Sequence, residues 1–156
     1  MTDASGSRTQ RDDYSHLVGH QFPGGRTTVP AWMNQLWGDA VASTDDPAPN
    51  VHPVLVYYAA IQGSGLNFQM IFDLMDAPAD SGVMFGEQRF EFHKPLQVAH
   101  EYQVEGSIIE VVRKHGRRAG TFDILTFELR LSEPDAQRPH AISTTSFVFP
   151  RREVKP

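Results

Sequence analysis

The sequence predicts an α+β chain in which one apolar helix is wrapped by a long, curved antiparallel sheet. Two observations carry that reading. Residues 54–61 are Val, Leu, Val, Tyr, Tyr, Ala, Ala and Ile, apolar or aromatic all round, as a helix buried on every side would be. From Val83 onward the apolar period falls to two, in stretches of about ten to fourteen residues, each rising roughly 3.3 Å per residue.

The elements follow in order. The opening "MTDASGSRTQRDDYS" is polar and has no apolar signal core, so residues 1–17 are expected to be a flexible or loosely docked leader. A single domain is expected over 18–151, with 152–156 as a tail. "LVGHQFPGGRTTVP" places turn chemistry at Pro23-Gly24-Gly25, with a short strand expected on either side. "PAWMNQLWGDAVAST" has Trp32, Met33, Leu36, Trp37, Ala40 and Val41 at helical spacing behind Pro30. "TDDPAPN" is a loop. Pro53 suits the first turn of the apolar helix, and "GSG" at 63–65 marks where it ends and a second helix begins.

Four strands are expected at 85–94, 100–113, 119–132 and 140–149. Phe90 and Phe92 share a face, as do Tyr102 and Val104. Leu125, Phe127, Leu129 and Leu131 lie opposite Phe122, Ile124 and Thr126. A strongly twisted sheet of such strands curling around one helix is the hot-dog fold. It leaves one sheet face exposed or available for pairing, so dimers are expected.

Composition excludes several functions. The chain has 156 residues, no cysteine and a formal charge of −5. Disulfide, thiolate and cysteine–zinc chemistry are out, and a reducing cytoplasm is the compatible setting. Apart from Arg113, Lys114, Arg117 and Arg118 there is no basic stripe, which argues against nucleic acid. No apolar run reaches the roughly 18 residues of a membrane span. His93, His100, His115 and His140 have no ligand spacing, so no metal is expected.

"GEQRFEFHKPL" followed by "VEGSIIEVVRKHGRRAG" resembles the N-terminal, non-catalytic half of the double hot-dog hydratases, the MaoC-like 2-enoyl-CoA hydratase 2 family. The resemblance spans roughly residues 19–150. It implies reversible addition of water to a trans-2-enoyl thioester, giving the (3R)-hydroxyacyl product. Such hydration needs an acid/base pair and an oxyanion site. In the family the pair is carried by Asp-x-Asn-x-x-His, on a loop before the central helix of the C-terminal half.

That motif is absent here. In "TDDPAPNVHP", Asp46 and Asn50 are four positions apart where the motif has two, and Asn50 and His52 are two apart where it has three. His52 with Asp45 or Asp46 is the one local acid/base candidate; the competing reading is that Asn50 or His52 caps the helix. Phe85 and Gly86 align with a His-Gly pair that touches coenzyme A, against a reading in which Gly86 permits a bulge and Phe85 packs. Lys114 aligns with a turn lysine that pairs with phosphates, supported by Arg113, Arg117 and Arg118. Tyr57, Tyr58, Phe68, Met70 and Phe72 line an acyl tunnel or are plain core.

The resemblance therefore implies an acyl-thioester-binding subunit of an (R)-specific enoyl-CoA hydratase or 3-hydroxyacyl dehydratase. No cofactor is expected beyond the coenzyme A or acyl-carrier thioester of the substrate. The expected partner is a second MaoC-like chain bearing the catalytic motif. The alternatives are an acyl-CoA thioesterase using Asp45, Asp46 or Glu87, and a non-catalytic acyl-CoA-binding homodimer.

Overall fold

The computed structural model describes residues 13–43, 49–78 and 80–151. In chain order these form β1 (Gly25–Thr28), α1 (Ala31–Ala40), α2 (Leu55–Gly63), α3 (Phe68–Leu74), β2 (Met84–Phe92), β3 (Glu101–Gly116), β4 (Gly120–Ser132) and β5 (Ala141–Arg151). All strand pairs are antiparallel, in the order β1-β3-β4-β5-β2. This is the α+β hot-dog architecture, with β1 and β2 as the two edges.

Period-two patterning sets the two faces of the sheet. Leu125, Phe127, Leu129 and Leu131 are fully buried, as are Ser143, Thr145 and Phe149 on β5. This inner face packs on α2, where Val56, Ala59 and Ala60 have no exposure. The helix comes close because small residues let it. A Cβ on Gly63 would run into Val104 and Thr27, and one on Gly25 would lie 2.7 Å from the Gly63 carbonyl. The Pro23-Gly24-Gly25 turn is made by Gly24, at φ +74°. On its N-terminal side the expected strand is a single bridge, Gln21 to Ser107.

The ordered unit begins earlier than residue 18. Tyr14 and Leu17 are buried in the core at 2% and 6% exposure, and Ser15–Leu17 form a 3-10 turn. Their apolar bulk, set in a polar stretch, is what docks the segment. Arg151 completes the dock: its guanidinium lies 4.4 Å from the Tyr14 ring centroid and donates to the Met75 carbonyl at the end of α3.

The central helix is not buried on every side. Val54 and Tyr58 are 41% and 37% exposed, and Gln62 is exposed too. The sheet curls over only part of the helix, so the apolar stripe on its other side stays bare. The apolar residues of α1 are displaced as well. Its buried positions are Asn34 and Gly38, while Trp32 and Leu36 are exposed.

Candidate functional site

The bare side of α2 forms a groove of ≈ 210 Å³ lined by Tyr57, Tyr58, Ile61, Gln62 and Phe68. Phe68 opens α3, whose start is fixed by Asn67: its side chain accepts the Gln69 N–H at 2.8 Å. Burial holds the Tyr57 phenol above its ordinary value, so it stays a neutral hydroxyl.

Phe85 stands behind this groove. Its ring meets Tyr57 edge-on at 6.1 Å and Phe147 at 5.6 Å, and Phe68 meets Phe147 from the other side at 5.6 Å. Phe85 is still 52% exposed, and among the described residues β2 is the edge of the sheet there. Groove and edge thus join into one apolar surface running from Tyr58 to Phe85.

Gly86 serves the backbone. The β2–β5 register shifts between Phe85 and Gln88, and the Ser146 Oγ accepts the Glu87 N–H at 2.9 Å. A Cβ on Gly86 would lie 2.7 Å from that Oγ. The structure therefore shows the bulge and the packing of Phe85.

Lys114 lies elsewhere. It is in β3 rather than in a turn, and with Glu87, Arg89, Glu110 and Thr126 it lines a separate ≈ 380 Å³ cleft on the outer face of the sheet. Its neighbour Arg113 is committed: it donates twice to Asp123, at 2.8 and 2.9 Å. The basic group expected in one turn is divided because strand alternation sends Arg113 inward and Lys114 outward. Glu87, the carboxylate of the thioesterase reading, also lines this outer cleft.

His52 is held at the start of α2. Its N–H donates to Asn34 Oδ1 at 2.8 Å, and its Nδ1 lies 3.4 Å from the Val54 N–H as acceptor. The His52 Nδ1 thus lies at the first turn of α2, in the capping arrangement. Asp45 and Asp46 lie outside the described residues. Asn34 is the residue that sequence reasoning missed. It is 1% exposed and also donates to the Asn50 carbonyl at 3.0 Å. Nothing in the apolar spacing of residues 31–41 marks it as buried.

Among the described residues, no group of three or more His, Asp or Glu side chains is arranged to hold a metal. No helix there is long and apolar enough to cross a membrane.

Residues 26–138 match the family model described as FAS1-like, dehydratase domain region. A comparison with curated proteins finds no match. Among solved structures, the chain is similar to the ChsH1-ChsH2 complex from Mycobacterium tuberculosis, with TM-score 0.70, 13% identity and 92% of each chain covered. It is also similar to the HadBC (3R-hydroxyacyl-ACP dehydratase) complex from the same organism, with TM-score 0.58, 18% identity, and 82% of this chain and 92% of that one covered. A MaoC-like dehydratase from Phytophthora capsici aligns at TM-score 0.62 and 9% identity, over 92% of this chain but 51% of its own.

Proposed function

Because this chain belongs to the FAS1-like dehydratase-region family, we propose that it is the acyl-thioester-binding subunit of an (R)-specific 2-enoyl-thioester hydratase or 3-hydroxyacyl dehydratase. A second MaoC-like chain supplies the acid/base pair. The observation that carries this reading is the joined apolar surface of α2 and β2. Tyr57, Tyr58 and Phe68 offer an acyl chain an apolar bed, and the β2 edge beside it, which no other described strand pairs with, offers a partner sheet a strand to pair with.

Three further points support it. The sequence lacks Asp-x-Asn-x-x-His, and the His52 ring lies against the first turn of α2, its Nδ1 3.4 Å from the Val54 N–H. Two of the similar structures are complexes of different chains, ChsH1 with ChsH2 and HadB with HadC. In a third, a fold of this kind fills about half of a longer dehydratase. Within the pair, this chain binds and orients the acyl portion and excludes water from it, while proton transfer at the double bond falls to the partner.

Of the site residues, Tyr57, Tyr58 and Phe85 belong to this surface. Gly86 supports it through the bulge, and Lys114 stands apart. Calorimetric titration with medium-chain acyl-CoA tests the reading. Binding that Tyr58→Asp removes supports it, and failure of the wild-type chain to bind any acyl thioester contradicts it.

A further inference from the structure

We infer that Tyr14 and Arg151 are positioning residues for the acyl groove. They clamp the C-terminal end of α3, and through α3 they place Phe68, the groove wall opposite α2. The inference rests on the acyl-binding reading of that groove.

Alone, α3 is a weak element. Phe68–Leu74 makes about two turns, and helices shorter than about 12 residues are marginal in water by themselves. Its last turn carries no basic side chain. Past the Met75 cap the chain turns through Asp76 at φ +48°, a left-handed position that glycine usually fills. The Asp76 N–H donates to the Asp73 carbonyl at 3.2 Å, and the Ala77 N–H to the Phe72 carbonyl at 2.8 Å. These two bonds close the helix end around a strained residue.

Two distant segments hold that end. The Tyr14 hydroxyl donates to Asp76 Oδ2 at 3.2 Å, from 62 residues away. Arg151 donates its Nη1 to the Met75 carbonyl at 2.8 Å, from 76 residues away. It supplies the cation that the last turn lacks. The two holders are tied to each other, with the guanidinium 4.4 Å from the Tyr14 ring centroid. They are also tied to the sheet, since Arg151 Nε donates to Asp123 on β4 at 2.6 Å.

The other end of α3 is the groove. Phe68 is its first residue, about 10 Å along the axis from the clamp, and its ring is one of the groove's walls. Ile71 and Met75 are buried, and Phe72 meets Phe149 edge-on at 6.3 Å. Apolar packing of this kind holds the helix down but has no direction of its own. The hydrogen bonds at residues 75 and 76 fix its tilt and its position along the axis. A two-turn helix released at that end pivots or frays, and the groove changes width at Phe68.

Two conservative variants separate positioning from folding. Tyr14→Phe keeps the ring beside Arg151 and removes the hydroxyl. Arg151→Lys keeps a cation for Asp123 and loses the planar fork that also reaches Met75. Each is titrated calorimetrically with octanoyl-CoA, under conditions where urea unfolding shows it fully folded, and followed by amide hydrogen exchange. The Kd should rise about two- to tenfold, the equilibrium factor of one hydrogen bond. Exchange should quicken at residues 69–76 and stay unchanged at 125–131. A residue that serves stability alone leaves the Kd of the folded protein where it was. Wild-type affinity in both variants would therefore overturn the inference, as would weaker binding without faster exchange in α3. Where Arg151→Lys is too unstable to titrate, Tyr14→Phe decides. A wild-type chain that binds no octanoyl-CoA would overturn the acyl reading itself, and this inference with it.

Discussion

Asn34 and His52 are joined by a 2.8 Å hydrogen bond from the His52 N–H to the Asn34 side-chain oxygen, and Asn34 is almost wholly buried. That bond fixes the approach to α2. Removing it should leave two backbone groups, on Asn50 and His52, without a partner. Asn34→Ala is expected to lower stability by about 1–3 kcal/mol, measured as a shift in the urea midpoint.

Acid should weaken the fold through Asp123. Burial alone would raise its carboxyl. The hydrogen bonds and charges of Arg113 and Arg151 outweigh that and hold it below the ordinary value of 3.8. A depressed folded pKa gives stability that is complete well above 3.8 and is lost as pH falls through the folded value. Asp123→Ala strands Arg151, whose side chain is 4% exposed, and should cost about 3–5 kcal/mol near neutrality. The variant's stability should then vary less with pH on the acid side, which paired thermal melts from pH 7 down to 3 will read.

The contact between α2 and β1 leaves no room for a methyl group at Gly63. Gly63→Ala gains helix propensity but pushes on Val104 and Thr27, which sit in the core. A net loss of about 1–3 kcal/mol is expected by chemical denaturation.

Phe85 and Lys114 separate two routes for ligand binding. Lys114 lies on the face of the sheet away from the groove, in the outer cleft with Glu87 and Arg89. Lys114→Glu should leave acyl-CoA affinity at physiological salt within about twofold, since the sheet stands between Lys114 and the groove and salt screens what remains. Phe85→Ala should weaken binding, because Tyr57 loses the ring that supports it. Titration of both variants in parallel makes the comparison.

The strands and their faces were legible in the sequence because one face is buried, which makes side-chain alternation strict along β4 and β5. The end of α2 was legible from its Gly-Ser-Gly. The bare side of α2 was not. Val54 and Tyr58 read as core, since sequence cannot distinguish burial within a chain from burial against another. The split of Arg113 from Lys114 was hidden for a different reason: β3 runs on to Gly116, so residues expected in a turn alternate across a strand. Asn34 was invisible because its role depends on a loop sixteen residues away.

The central claim is that this chain binds the acyl thioester and leaves proton transfer to a partner. The most direct measurement is hydration of a medium-chain trans-2-enoyl-CoA by the purified chain, with and without His52→Ala. Positioned acid/base groups typically contribute about 10²–10⁴-fold each. The account predicts little turnover by the chain alone, no further loss in His52→Ala, and activity once a chain bearing Asp-x-Asn-x-x-His is added. Brisk turnover by the chain alone, abolished by His52→Ala, would contradict it and make residues 44–52 an active site in their own right.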